Sequence, residues 1–171
     1  MSNNNVKPFQ LIVDSINNSG IQSEKSGWQV AKFASQIMTR FSFEDTCSSR
    51  RVFIRNDLPY VLKVDEEATN SRWLQNRKEL AFYRKLKTQY PQYLSYVPQI
   101  YWISKDTRFM LVEKIPFSCD DDYDLPRIKA SLFYRVCLRL GVDEYELSKD
   151  CSWRFRDRAG DNSFVLVDAG F

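Results

Sequence analysis

One short apolar run contains a single charge, and this combination restricts the folds that the chain can adopt. Residues 60–64 read Tyr-Val-Leu-Lys-Val, a composition typical of a β-strand, with Lys63 inside it. Because side chains alternate between the two faces of a strand, Lys63 points away from the face of Leu62 and Val64. On an edge strand the lysine would meet water. On a buried strand it needs an anionic partner, since an unpaired buried charge is costly.

Two later segments each contain a carboxylate that could interact with Lys63 or with a ligand beside it. Residues 75–83 are typical of a helix and include Glu79, which could swing back over the strand or could simply be solvated. Residues 164–167 form an apolar strand that delivers Asp168 directly before Ala169 and Gly170. A strand that ends in this way is also an ordinary turn.

These segments, in this order, resemble the protein-kinase-like superfamily. The residues leading to Lys63 resemble the Val-Ala-Ile-Lys strand of kinases, and Asp168 resembles the first residue of the Asp-Phe-Gly motif, with alanine in its middle position. The resemblance implies that Lys63 contacts nucleotide phosphates, that Glu79 holds Lys63, and that Asp168 binds Mg²⁺. It therefore implies ATP and Mg²⁺ as cofactors.

Two further nucleotide contacts follow from the same resemblance. Residues 109–114 resemble the strand that leads into the kinase hinge, which places Glu113 near the adenine, although a plain core strand would look the same. The phosphate loop would fall at residues 44–50, where Ser48 and Ser49 could donate hydroxyl hydrogen bonds. No glycine occurs there to let the backbone approach phosphate closely.

The catalytic loop also departs from the kinase pattern. Asp150, in Ser148-Lys149-Asp150, is the best candidate for the catalytic aspartate, while Phe155 occupies the position of the expected metal-binding asparagine. The helices that follow the metal motif in typical kinases have no counterpart before Phe171. The resemblance thus implies a shortened large lobe with uncovered apolar surface that could contact a protein partner.

The order of predicted elements gives an α+β fold: a kinase-like small lobe with an antiparallel sheet and a long helix, then a shortened helical large lobe. Helices are predicted at 9–16, 27–40, about 70–87 and 125–140, with hairpins at 51–64, 99–114 and 153–167. The predicted domains are an N-terminal tail and helical extension at 1–40, a small lobe at 41–116 and a truncated large lobe at 117–171.

Composition excludes several functional classes. The absence of histidine removes histidine bases and the usual zinc sites, and the four cysteines lack metal-type spacing, which predicts free thiols in a reducing cytoplasm. A net charge of +3 without a concentrated basic block makes nucleic acid an unfavoured partner. No apolar stretch is long enough to predict a membrane span.

The function predicted from these observations is a degenerate or minimal kinase-like protein that binds a nucleotide or a partner at the interlobe cleft, with weak or absent phosphotransfer. An active minimal ATP-dependent kinase and a purely structural interaction module are the alternatives. The economy of the chain suggests a phage or mobile-element protein.

Overall fold

The structure, a computed structural model, shows a mixed α and β chain with an antiparallel sheet, as predicted. It describes residues 6–23, 26–37, 42–47, 50–54, 57–65, 75–115, 125–149, 152–158 and 161–168. The chain divides into two compact units: a first unit of Met1–Arg77 and Ile100–Lys114, and a second unit of Lys78–Gln99 and Ile115–Phe171.

This division differs from the predicted domain boundaries in two ways. The N-terminal helices, expected as an extension over residues 1–40, belong to the same unit as the sheet. Residues 78–99, expected within the small lobe, are grouped with the second unit. The later boundary, between residues 114 and 115, lies close to the predicted one at 116 and 117.

The first unit is built on a five-stranded antiparallel sheet in the order β1-β2-β3-β5-β4. The strands are β1 (Ser42–Cys47), β2 (Arg50–Ile54), β3 (Tyr60–Asp65), β4 (Ile100–Ile103) and β5 (Phe109–Glu113). Two predicted hairpins correspond to β2–β3 and β4–β5. The pairing of β3 with β5 joins these hairpins into one sheet, with β3 at its centre.

The first strand was not predicted. Residues 44–50 were expected to form a phosphate-binding loop, but β1 extends to Cys47 and pairs with β2, whereas Ser48 and Ser49 lie outside the described residues. The pairing of β1 with β2 shifts register between Glu44 and Cys47, and that of β4 with β5 shifts between Ile100 and Trp102. The inner pairings are regular.

Two helices cover one face of the sheet: α1 (Val6–Asn18) and α2 (Gly27–Ile37). Their buried side chains recur at helical spacing and pack on the large apolar side chains of β2, β3 and β5. The buried residues are Ile12, Val13, Ile16, Val30 and Ala34 of the helices, with Phe53, Tyr60, Leu62, Val64, Phe109 and Leu111 of the strands.

The opposite face of the sheet carries a smaller apolar cluster. Val61, Met110 and Val112 are buried there, and Val52 and Ile54 pack against them. By the two-residue alternation of β3, Lys63 and Asp65 belong to this face, as the sequence predicts for Lys63.

The second unit contains most of α3 (Gln75–Gln89), which begins in the first unit. It also contains a 3₁₀-helix (Pro91–Tyr96), α4 (Leu125–Ala130), α5 (Leu132–Arg139), α6 (Glu144–Leu147) and the hairpin of β6 (Trp153–Arg158) and β7 (Asp161–Leu166). Its core is rich in aromatic rings. The Phe133 ring lies 5.0 Å from that of Tyr96, 5.8 Å from that of Tyr93 and 6.2 Å from that of Trp153.

The single helix predicted from Leu125 to Leu140 is wrong, because it is two helices. Ser131 separates α4 from α5 with an extended ψ of 149°, and its hydroxyl accepts a hydrogen bond from the Tyr134 N–H at 3.1 Å. That hydroxyl satisfies a donor in the first turn of α5, so the serine both interrupts one helix and caps the next. Gly141 follows α5 with a φ of +89°, in agreement with the predicted helix end.

The buried face of α3 also differs from its prediction. An apolar stripe was expected, containing Trp73, Leu74, Leu80, Ala81, Tyr83 and Leu86. Leu86 is buried as expected and Tyr83 packs against the core, whereas Leu80 is half-buried, Ala81 is exposed, and Trp73 and Leu74 lie outside the described residues. The other buried side chains of the described helix are Asn76, Glu79 and Phe82. The buried face thus begins with two polar side chains and becomes apolar only in its second half.

Of the four cysteines that were predicted to be free thiols, the structure describes the side chain of one. Cys137 is a free thiol, fully buried in α5, and burial raises its pKa. Cys119 and Cys151 lie outside the described residues, and only the backbone of Cys47 is described. Separately, none of the described helices combines the length and the apolar character needed to cross a membrane.

The raised pKa of Cys137 predicts a pH-dependent stability. The unfolded thiol loses its proton above about pH 8.5, whereas the folded one keeps it, so the contribution of Cys137 is complete below that pH and falls as the pH rises. Between pH 7 and 10 the protein should lose about 2 kcal/mol more unfolding free energy than Cys137→Val does.

Urea denaturation of both proteins under reducing conditions measures this difference. The comparison uses the change between the two pH values, so any packing effect of valine at pH 7 cancels. Equal losses in the two proteins would contradict the prediction.

Candidate functional site

Lys63 is buried at the centre of the sheet, with 4% of its surface exposed. Val52 on β2 and Met110 on β5 are its neighbours in the strand register, and both belong to the apolar cluster of the same face. The aliphatic stem of the lysine therefore packs among apolar side chains. Burying a bare charge is costly, so the ammonium group requires an anionic or hydrogen-bonding partner.

Asn76, in the first turn of α3, ties the helix to the strand that carries Lys63. Its side-chain amide donates one hydrogen bond to the Lys63 carbonyl at 3.2 Å and another to the Arg108 carbonyl at 2.8 Å. Its backbone N–H donates to the Asp65 carboxylate at 3.0 Å. Because Asn76 is fully buried, no water competes for these bonds. We call Asp65, Asn76 and the Lys63 and Arg108 carbonyls the strand–helix clamp.

The Asp65 carboxylate has a second role in this clamp. The first N–H groups of an α-helix have no partner within the helix, and a negative charge beside them is favoured by the helix dipole. Asp65 supplies both the acceptor and the charge from the end of β3, while its own N–H donates to the Arg108 carbonyl at 2.9 Å. The start of α3 is thus capped by a strand residue.

Further buried charges surround the clamp within the first unit. Arg50, Arg108 and Asp65 are each at most 3% exposed, and Arg50 lies opposite Asp65 in the register of β2 and β3. Counting Lys63, three cationic side chains and one carboxylate are therefore buried on β2, on β3 and directly before β5. Such a concentration of buried cationic side chains is the type of environment in which proteins bind anions.

Glu79 belongs to the second unit and is also buried, with 9% of its surface exposed. It follows Asn76 by three residues, so the two side chains share one face of α3. Its interaction with Lys63 stays a prediction.

The other predicted nucleotide-binding residues are distributed differently. Glu113 is the last residue of β5, half-buried and opposite Tyr60 in the strand register. The following residue, Lys114, donates its N–H to the Pro59 carbonyl at 2.9 Å. The backbone after Glu113 thus remains held against the sheet. Ser48, Ser49 and Asp150 lie outside the described residues.

Asp168 is half-buried two residues after the end of β7, at a position fixed by its backbone. The Ser152 carbonyl accepts hydrogen bonds from the N–H groups of Val167 at 2.8 Å and Asp168 at 3.3 Å. Ser152 is itself anchored, since its hydroxyl donates to the Glu146 carbonyl at 2.8 Å. The backbone of Asp168 therefore lies beside Ser152, which is two residues after the predicted catalytic residue Asp150.

No group of three or more carboxylate or thiol side chains suited to a metal ion occurs in the described ranges. Asp168 by itself would supply a single carboxylate ligand. In phosphotransferases Mg²⁺ is held by one or two carboxylates together with phosphate oxygens and water, so a single aspartate at this position fits the first of those requirements. Asp168 remains the predicted metal ligand.

Sequence reasoning missed Asp65 and Asn76 as site residues. A signal was present, since Asn76 is seven residues, about two turns, before Tyr83 and so lies on the same helix face. A polar residue in phase with an aromatic residue that packs on the core indicates a buried hydrogen-bonding group. The prediction instead placed the neighbouring apolar residues, Leu80 and Ala81, on the buried face of the helix.

Comparison with known proteins gives no relative: no protein-family model, curated protein or solved structure matches this chain.

The clamp predicts a large effect of removing one side-chain amide. Asn76→Ala leaves the Lys63 and Arg108 carbonyls without these buried donors and should lower the unfolding free energy by about 2–4 kcal/mol. Arg77→Ala, at the exposed neighbouring position, is the matched control and should change it by less than about 0.5 kcal/mol. Chemical denaturation measures both. Similar values for the two variants would refute the clamp.

A double-mutant cycle tests the predicted pairing of Lys63 with Glu79. Lys63→Met and Glu79→Gln, made singly and together, should show a coupling of more than about 1 kcal/mol, because each single change leaves the other charge buried and unmatched. The same lysine variant combined with Glu144→Gln, at an exposed position on α6, should be additive. Additivity within about 0.5 kcal/mol for the Glu79 cycle would remove the pair from the site.

Proposed function

We propose that this chain is a degenerate or minimal kinase-like protein that binds a nucleotide through Lys63, with weak or absent phosphotransfer. The observation that carries the proposal is a buried lysine on the central strand of an antiparallel sheet, with the following helix hydrogen-bonded to the same strand. A buried ammonium group beside the apolar side chains of Val61, Met110 and Val112 is suited to a ligand that has both a phosphate and a flat apolar ring.

In this proposal the side chains keep the roles implied by the kinase resemblance. Lys63 neutralises phosphate oxygens, Glu79 orients Lys63, and the backbone near Glu113 receives the base. Asp168 provides the carboxylate for Mg²⁺, and Asp150 accepts the proton of the substrate hydroxyl. The hydrogen bond from the Asp168 N–H to the Ser152 carbonyl supports this assignment, because it brings the chain segment that follows Asp150 next to Asp168.

Catalysis is expected to be weak because residues that hold the nucleotide phosphates and a second Mg²⁺ in kinases have no equivalent in this sequence. The segment expected to hold them contains no glycine, and its residues up to Cys47 use their backbone in a strand. The side chain of Phe155 has no atom that can bind a second Mg²⁺. Phosphoryl transfer depends mainly on positioning and charge stabilisation, so poorly held phosphates should react slowly.

A purely structural interaction module is the second candidate, and exposed apolar side chains favour it. On the second unit, Leu132, Leu138 and Tyr145 have 63%, 38% and 70% of their surfaces exposed. Large exposed apolar side chains of this kind mark partner surfaces when they are grouped. A cytoplasmic location and a phage origin stay predictions in both candidates.

Thermal-shift titration with Mg²⁺ and ATP or GTP tests nucleotide binding. A ligand at 100 times its dissociation constant should add about 2.7 kcal/mol of stability. Lys63→Met and Asp168→Ala should abolish the shift. Because methionine restores apolar packing, Lys63→Met should still fold. Lys105→Met in an exposed turn and Asp14→Ala on α1 are the matched controls, and both should retain the shift.

Three outcomes separate the candidates. The absence of a shift with either nucleotide overturns the proposal and leaves the interaction module. ATP turnover that survives Asp168→Ala shows that the site lies elsewhere. Efficient phosphotransfer that both Lys63→Met and Asp168→Ala abolish identifies an active minimal kinase instead of a degenerate one.

A further inference from the structure

The second unit contains an open groove of about 740 Å³ that no part of the proposed function uses. One wall is a face of α3, and the other runs from the end of α5 into α6. Enclosed cavities suit small molecules, which bury most of their surface on binding. An open groove between helices suits instead a segment of another protein.

The floor of the groove is apolar. Phe82 and Leu140 are buried beneath it, and Ala81 is exposed on the α3 wall. Gly141 forms part of the opposite wall, and a Cβ atom added there would meet no other atom within 4 Å. The space above this floor can therefore accept apolar side chains from a partner.

The carboxylates in the groove are already engaged within the protein. Asp143 accepts a hydrogen bond from the Tyr145 N–H at 2.8 Å, which caps α6. Both oxygens of Glu146 accept from the Lys149 ammonium group, at 2.7 and 2.6 Å. The charge of Glu146 is thus matched by Lys149, and the Asp143 carboxylate is held at the start of α6.

The lysines on the opposite wall have no such engagement. Throughout the described ranges, the ammonium groups of Lys78 and Lys85 make no hydrogen bond or ion pair. They are seven residues apart on α3, which places them about 10 Å apart along the helix axis and on the same face. Ala81 and Phe82 lie between them in the chain, so the order of side chains along this wall is basic, apolar, apolar and basic.

We infer that the groove binds an acidic amphipathic helix of another protein. The helix that complements the α3 wall has carboxylates seven residues apart and apolar residues at the third and fourth positions between them, the same spacing as Lys78, Ala81, Phe82 and Lys85. Tyr145, 70% exposed at the opposite wall, supplies a large aromatic contact of the type that dominates interface energies. This inference does not rest on nucleotide binding.

The probe is a fluorescein-labelled helical peptide based on alanine and glutamine, with two glutamates seven residues apart and two leucines between them. Its binding is followed by fluorescence anisotropy at low salt. Lys78→Glu combined with Lys85→Glu should weaken binding by about tenfold or more, since two attractions become repulsions. Lys87→Glu is the matched control: it makes the same charge change at an exposed position of the same helix and should alter affinity by less than about twofold.

A second variant and a second peptide distinguish the groove from general charge attraction. Tyr145→Ala should also weaken binding without changing the net charge, and a peptide with lysines in place of the glutamates should not bind. Failure of the acidic peptide to bind overturns the inference, as does an equal loss with Lys87→Glu. Self-association of the protein that the double lysine variant abolishes would assign the groove to a second copy of the chain and overturn the assignment to a separate partner.

Discussion

The attachment of the first turn of α3 to the sheet depends on one buried amide. Asn76 donates to a carbonyl on β3 and to another beside β5, while its own N–H is accepted by Asp65. Apolar packing alone tolerates small sliding of a helix over a sheet, but hydrogen bonds require specific distances and angles. The clamp therefore fixes the backbone at the start of α3 relative to β3 and β5, within the first unit.

The main elements could be predicted because their apolar patterns are strong. The apolar run around Lys63 predicted a strand and left open whether it was an edge strand or a buried one, and the structure places it at the centre of the sheet with Lys63 buried. β1 could not be predicted, since Ser-Phe-Glu-Asp-Thr-Cys has no apolar alternation and becomes a strand by pairing with β2. The break at Ser131 was also hidden, because the apolar periodicity of α4 continues into α5 and a serine within a helix is common.

The candidate site was only partly predictable for a similar reason. Motif resemblance selects residues that would contact a ligand, such as Lys63 and Asp168, but gives no information on the residues that hold them. The side chains of Asp65 and Asn76 bind backbone N–H and carbonyl groups, so even where helical phase indicates a buried polar residue, the sequence does not show what it contacts. Their burial depends on contacts between residues far apart in the chain, and these appear only after folding.

The irregular outer pairings of the sheet have a consequence for the behaviour of the protein at high concentration. β1 and β4 form its two edges, and each pairs with its inner neighbour through a register shift. An irregular edge twists and offers a poor template to a strand of another molecule. The sheet is thereby protected at both sides from growing into fibrous aggregates, although every strand within it is antiparallel and its centre is strongly apolar.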